Sequence, residues 1–166
     1  MYQPNGMTRR EREVTDMNEI IRILDTAKVV HVGMCLDGEP YVVPMNYGYT
    51  MENGVLTLYL HGAKTGKKID MMRANPRVHF EMDCEIVPFE GDIACRYGIS
   101  YSSVMGRGCA EIIEDEEEKC RALSFLMKTQ TGKDFTFDAR MASVVSVIKI
   151  RAIEYTAKHR PIPKRH

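Results

Sequence analysis

The stretch LYLHGAKTGKKID, residues 58–70, places His61, Gly62, Lys64, Thr65, Gly66, Lys67 and Lys68 at the end of an apolar run. Lysines at a strand-to-helix junction have a specific use. The first backbone N–H groups of a helix have no internal partner, and the helix dipole adds positive potential there. A phosphate docked at that point gains both, with Lys64, Lys67 and Lys68 as countercharge and Gly66 permitting close backbone approach. The spacing GAKTGKK is not a Walker loop, which needs one more residue and a hydroxyl where Lys68 stands. Two readings stay open at this level: an anion cradle, or a solvated lysine cluster. His61 likewise reads either as a structural strand-end histidine or as a proton donor.

Two other features bear on these alternatives. Pro44 interrupts the strand-like run YVVPMNYGYT, and its missing N–H breaks the hydrogen-bond ladder, leaving backbone groups free to face a ligand. Ser102 and Ser103 begin a later strand and offer hydroxyls. Of the remaining histidines, His31 in VVHVG reads as a packed strand residue, and His79 faces away from Val78 and Phe80. Five cysteines, odd in number and without a C-x-x-C pair, are poor material for disulfides or a zinc ribbon. His79, Cys84 and Cys95 lack ligand spacing, so no metal site is expected.

Positioning these residues requires a mainly β scaffold. Asp16 and Glu19 form a capping-box pattern, and Ile20, Ile21, Leu24 and Ala27 recur at helical spacing, predicting a helix over 16–27. KVVHVGMCL ends at Asp37-Gly38 and YVVPMNYGYT at Asn53-Gly54, both strong hairpin signals, so three strands form an antiparallel meander. A helix over 65–74 stops before Pro76, and RVHFEMD resumes an extended pattern. Residues 84–99, with Pro88, Gly91 and Gly98, read as a loop. YSSVMGRGCAEIIE reads as a strand, DEEEKCRALSFLMKTQ as a helix with acids in its first turn, and SVVSVIKIRAIEY as a final strand. This order excludes a regular βαβ winding and predicts an antiparallel six-stranded barrel with flanking helices. Residues 1–13 read as a flexible arm, 14–157 as one domain and 158–166 as a basic tail.

The 166 residues carry 23 basic and 23 acidic side chains, for a formal charge of zero. A nucleic-acid or anionic-membrane binder would show a basic excess, so neither partner is expected. No window reaches the ~18 apolar residues of a membrane span, and residues 1–14 have no apolar signal core, which points to a cytoplasmic protein.

Taken jointly, DGEPYVVPMNYGY (37–49), LYLHGAKTGKKID (58–70), NPRVHFEMD (75–83) and YSSVMGRGCAE (101–111) resemble the pyridoxamine 5′-phosphate oxidase-like superfamily of flavin-binding split barrels. Within it they resemble the Nim-type 5-nitroimidazole resistance proteins. The resemblance implies a homodimer binding FMN, with FAD as the alternative, at the subunit interface. It places Val43, Pro44, Met45, Asn46 and Tyr47 along the flavin ring, largely through backbone. Ala63, Lys67 and Lys68 fall in the phosphate-binding segment, Ser103 at a polar position near the flavin, and His61 beside flavin and substrate. The chemistry implied is an FMN-dependent oxidoreductase reducing a small acceptor such as a nitroimidazole. The flavin carries the redox step and an external donor reduces it. The alternative is a haem- or flavin-binding protein of the same fold without catalysis. The oxidases acting on pyridoxamine phosphate carry arginine and lysine where this chain has Val43 and Gly48, which argues against that substrate.

Overall fold

The computed structural model describes residues 7–163. Asp16 caps helix α1 (Met17–Thr26), its carboxylate accepting from the backbone N–H of Asn18 and Glu19. Three strands follow: β2 (Val29–Leu36), β3 (Glu39–Glu52) and β4 (Val55–Gly62). They are preceded by the two-residue β1 (Glu13–Val14). Both intervening turns have positive φ at their two central residues, Asp37 and Gly38, then Asn53 and Gly54. That is the geometry Asp-Gly and Asn-Gly turns favour, and it fixes the meander's register.

Helix α2 (Lys67–Ala74) leads into β5 (Arg77–Phe89), then β6 (Gly98–Ile113), α3 (Glu116–Thr131), α4 (Ala139–Ala142) and β7 (Ser146–Arg160). The sheet runs β1-β7-β4-β3-β2-β5-β6, and β6 also pairs with β7. The six long strands therefore close into an antiparallel barrel with the helices outside, as the pattern predicted. Its interior is filled by alternate residues, among them Leu56, Leu58 and Leu60 of β4, Phe80 and Met82 of β5, and Ile148 and Ile150 of β7.

Several boundaries differ from the sequence reading. The loop expected over 84–99 is confined to 90–97, because β5 continues to Phe89 and β6 starts at Gly98: a bulge between Cys84 and Val87, with Glu85 at φ 56°, breaks the alternation, and pairing then resumes through Phe89↔Gly98. The final strand continues to Arg160, so the boundary at 157 falls inside it. Lys158 pairs with Glu13 on one side and Ser103 on the other, and Arg160 lies over the Phe89 ring. The basic residues 158–160 thus decorate a paired strand. At the other end Arg10–Arg12 form a 3-10 turn before β1, so the N-terminal arm is structured there; residues 1–6 and 164–166 lie outside the described residues. The short α4 had no periodic signal. No helix among the described residues is long and apolar enough to cross a membrane.

Candidate functional site

The pairing of β3 with β4 begins at Tyr47↔Leu60, whereas β3 pairs with β2 from Glu39 through Asn46. The first half of β3 therefore has a free edge on its β4 side. Pro44 sits in that half, where a missing N–H costs no ladder bond. Beyond the last β3–β4 pair, β4 ends in His61 and Gly62, and the chain turns through 63–66 into α2. The open edge of β3, the end of β4 and the start of α2 meet here, with Lys67 over the Tyr41 ring of β3, and this junction is the candidate cleft.

Side-chain directions sort the predicted residues. Val43, Met45 and Tyr47 point inward: Tyr47 is fully buried and its hydroxyl donates to the Leu24 carbonyl at 2.7 Å. Burial pushes its phenol pKa far up, so it stays neutral. Only the backbone of these three can face a ligand. Pro44 and Asn46 are exposed on the outer face. His61 follows Leu60 on the outward phase of β4, one step past the ladder pair that joins Leu60 to Tyr47. Its Nδ1 is buried and has no hydrogen-bond partner, and no other buried side-chain nitrogen or oxygen among the described residues is in that state. Such an atom is costly unless something bonds it.

Helix α2 begins differently from the other α-helices. Asp16, Asp115 and Asp138 accept backbone N–H bonds at the starts of α1, α3 and α4, while α2 has Gly66 and no side-chain cap. Gly66 adopts φ 128°, ψ 168°, a region essentially reserved for glycine. The Lys68 side chain folds back toward the cleft, with Cε 2.8 Å and Nζ 3.2 Å from where a Cβ on Gly62 would stand. Lys67 Nζ lies 4.6 Å from the centroid of the Tyr41 ring. Ala63 and Lys64 are exposed on the connecting loop. The uncapped start of α2 and the two lysines thus lie with Tyr41 and Gly62 on the inward phase of β3 and β4, while the orphaned His61 nitrogen lies on the outward phase of the same strand end. The lysines and the free N–H groups of the helix start fit an anionic, phosphate-bearing ligand.

Helix α3 walls the other side. Gly48 packs on the backbone of Phe125 and Leu126, and the Tyr59 ring stacks on Phe125 with centroids 5.3 Å apart. Gln130 of α3 donates to the Tyr47 carbonyl at 2.7 Å and ties the helix to β3.

Ser103 is not part of this group. It lies on β6, and in the closed order β7-β4-β3-β2-β5-β6 that strand is three steps from β3 in either direction. At roughly 4.8 Å per step the separation is about 14 Å. Its neighbour Ser102 is fully buried, its hydroxyl 2.8 Å from Glu85 Oε2 and 2.9 Å from His159 Nδ1. His31, expected to be packed, is exposed on the outer face of β2, because the inward phase of that strand falls on Val30, Val32 and Met34. His79, Cys84 and Cys95 are not brought together: Cys84 faces inward, while His79 and Cys95 are exposed.

A cleft on the outside of a closed six-stranded antiparallel barrel defines the split-barrel class. The chain belongs to the pyridoxamine 5′-phosphate oxidase family, whose sequence model matches residues 16–159. A candidate 5-nitroimidazole antibiotic resistance protein from Bacteroides thetaiotaomicron shares 36% identity over 89% of this chain and 86% of its own, with a TM-score of 0.73. A FAD-binding protein from Mesorhizobium loti is 25% identical over 88% of this chain and 96% of its own, at TM-score 0.61. The FAD and haem binding protein of Mycobacterium smegmatis shares the fold, with TM-score 0.76, 16% identity, and coverage of 93% and 77%. Among curated proteins no match was found.

Proposed function

We propose that this chain binds FMN in the cleft between β3, β4 and α2 and, as a homodimer, reduces a small acceptor such as a nitroimidazole-type nitro compound. The observation that carries this reading is the buried, unpartnered His61 Nδ1 on the strand end that leads, through residues 62–66, into the uncapped start of α2. Lys67, Lys68 and the free N–H groups of α2 would hold the phosphate, and the open backbone edge of β3 at Val43–Asn46 would face the ring. When bound, the flavin supplies electron transfer to the acceptor, and electrons reach it from an external donor.

The chain's own contributions are orientation and proton placement. His61 presents Nδ1 to the ring or to the acceptor above it, as a hydrogen-bond partner or proton donor. Phe125 and Leu126 of α3 close one side of the cleft and exclude water there. Ser103 is too far from β3 to meet the same ligand within one protomer, so a second copy would supply it. This agrees with a flavin held between subunits.

Pyridoxamine phosphate oxidation is disfavoured. Val43 packs into the core and Gly48 lies flush against α3, so neither position can present the basic side chain that such oxidases carry there. The similarity to a candidate nitroimidazole resistance protein at 36% identity supports the nitro acceptor.

The test is the visible absorption spectrum of freshly purified protein, followed by identification of whatever heat releases. Yellow flavin bands with FMN in the supernatant are expected, together with reduction of a nitroimidazole by the chemically reduced protein. FAD in the supernatant would change the cofactor and keep the site. A Soret band would favour the alternative, a haem-binding protein of this fold. Colourless protein that takes up no added FMN would overturn the proposal.

A further inference from the structure

Outside the cleft, the barrel surface carries a second group of side chains able to do chemistry. His31 on β2 stands directly opposite Glu81 on β5, with Nδ1 3.4 Å from Oε2. Asp83 follows two residues along β5 and therefore projects from the same face. One ligand atom from each of the three lies within 4.8 Å of the others. We propose that His31, Glu81 and Asp83 bind a divalent transition-metal ion that ties β2 to β5 on the barrel's outer face.

The donor set suits such an ion. One imidazole nitrogen and two carboxylate oxygens match the ligands of Mn²⁺, Fe²⁺, Co²⁺ and Zn²⁺, and three protein ligands leave positions for water. An i, i+2 pair on one strand plus a direct cross-strand partner puts three donors on one side of a point above the sheet. Closing them onto an ion at about 2.1 Å requires rotation of the Glu81 and Asp83 side chains. In the single chain His31 is 45% and Glu81 36% exposed.

Charge supplies a separate argument. The Asp83 side chain makes no ion pair or hydrogen bond among the described residues, and the direct cross-strand neighbours of the trio are Pro44, Met105 and Ser103. None of these brings positive charge. A protonated His31 would offset one carboxylate, whereas a divalent ion offsets both. Sequence spacing gives no hint of this site, because the β2–β5 register brings His31 to Glu81 from fifty residues away.

Mn²⁺ is the probe of choice, since its preference for oxygen and nitrogen donors keeps it off the five cysteines. Full-length protein is stripped with chelator, exchanged into buffer and titrated with MnCl₂ while the electron paramagnetic resonance signal of free Mn²⁺ is followed. Loss of signal equivalent to one ion per chain is expected. His31→Ala and Asp83→Asn should each weaken binding by about a hundredfold or more, since even outer partners of a ligand can be worth that much. His79→Ala, outside the trio, should leave it unchanged. Asp83→Asn keeps side-chain shape on an exposed face, so it remains informative if His31→Ala folds poorly. An undiminished Mn²⁺ signal with wild-type protein, or equal binding by Asp83→Asn, would overturn the proposal.

Discussion

Gly48 of β3 lies directly on the backbone of Leu126 in α3, and a methyl group added at position 48 would overlap it. This contact decides how close α3 comes to the cleft. Gly48→Ala should force the helix outward and destabilise the fold by about 1–3 kcal/mol, the usual cost of overpacking. For a chain of this size that is a fall in melting temperature of roughly 2–10 °C. A thermal melt checks it, and an unchanged midpoint would mean α3 moves away without cost.

Gly66 holds a backbone conformation that other residues avoid at the start of α2. Nothing crowds a Cβ there, so the cost of Gly66→Ala is conformational, about 1–3 kcal/mol. The variant should also bind FMN more weakly, since the same turn aims the helix N–H groups. Denaturant titration and a flavin-fluorescence titration separate the two effects.

The two lysines should not be equivalent. Lys68 packs against Gly62 at the cleft, whereas Lys67 is engaged with the Tyr41 ring. Lys68→Ala should raise the Kd for FMN by roughly 10- to 100-fold, the value of a charge-assisted hydrogen bond of about 1.5–3 kcal/mol. Lys67→Ala should cost less. Equal effects would argue that Lys67 leaves the ring when the phosphate arrives.

His61→Ala should keep bound flavin and lose turnover of a nitro acceptor, by about 10²–10⁴-fold if the imidazole delivers a proton. Parallel loss of flavin and turnover would assign His61 to binding instead. Spectra of the purified variant, read beside its kinetics, decide between them.

Acid stability should depend on Arg22. Its guanidinium bonds Glu19 and, at 2.6 and 3.0 Å, Glu85, holding both carboxyl pKa values below their ordinary 4.5. A depressed carboxyl adds stability that is complete above the unfolded pKa and lost as the pH falls through the folded one. The melting temperature should therefore be flat above about pH 5 and decline below 4.5. Arg22→Gln should flatten that decline. The groups are partly exposed, so the effect is modest and shrinks with added salt.

The hairpins were the most legible part of the chain, because Asp37-Gly38 and Asn53-Gly54 fix turn type through φ alone. The strand through 84–89 was hidden by the bulge at Glu85, which shifts the inward phase and imitates a loop. His31 sits in a valine run that looks buried on both faces, whereas a barrel strand hides only one. The lysine-rich turn was visible as chemistry. What the sequence could not carry was register: that Asn46 and His61 border one cleft, that His31 meets Glu81, and that Ser103 stands on the far wall.

That last placement has a consequence for how such a protein would behave in a cell. A ligand touching both β3 and β6 must bridge two chains, because those strands are opposite each other in one barrel. Occupancy would then follow the square of the chain concentration, and dilution alone would bleach the protein. Expression level, as much as cofactor supply, would set the fraction that is active.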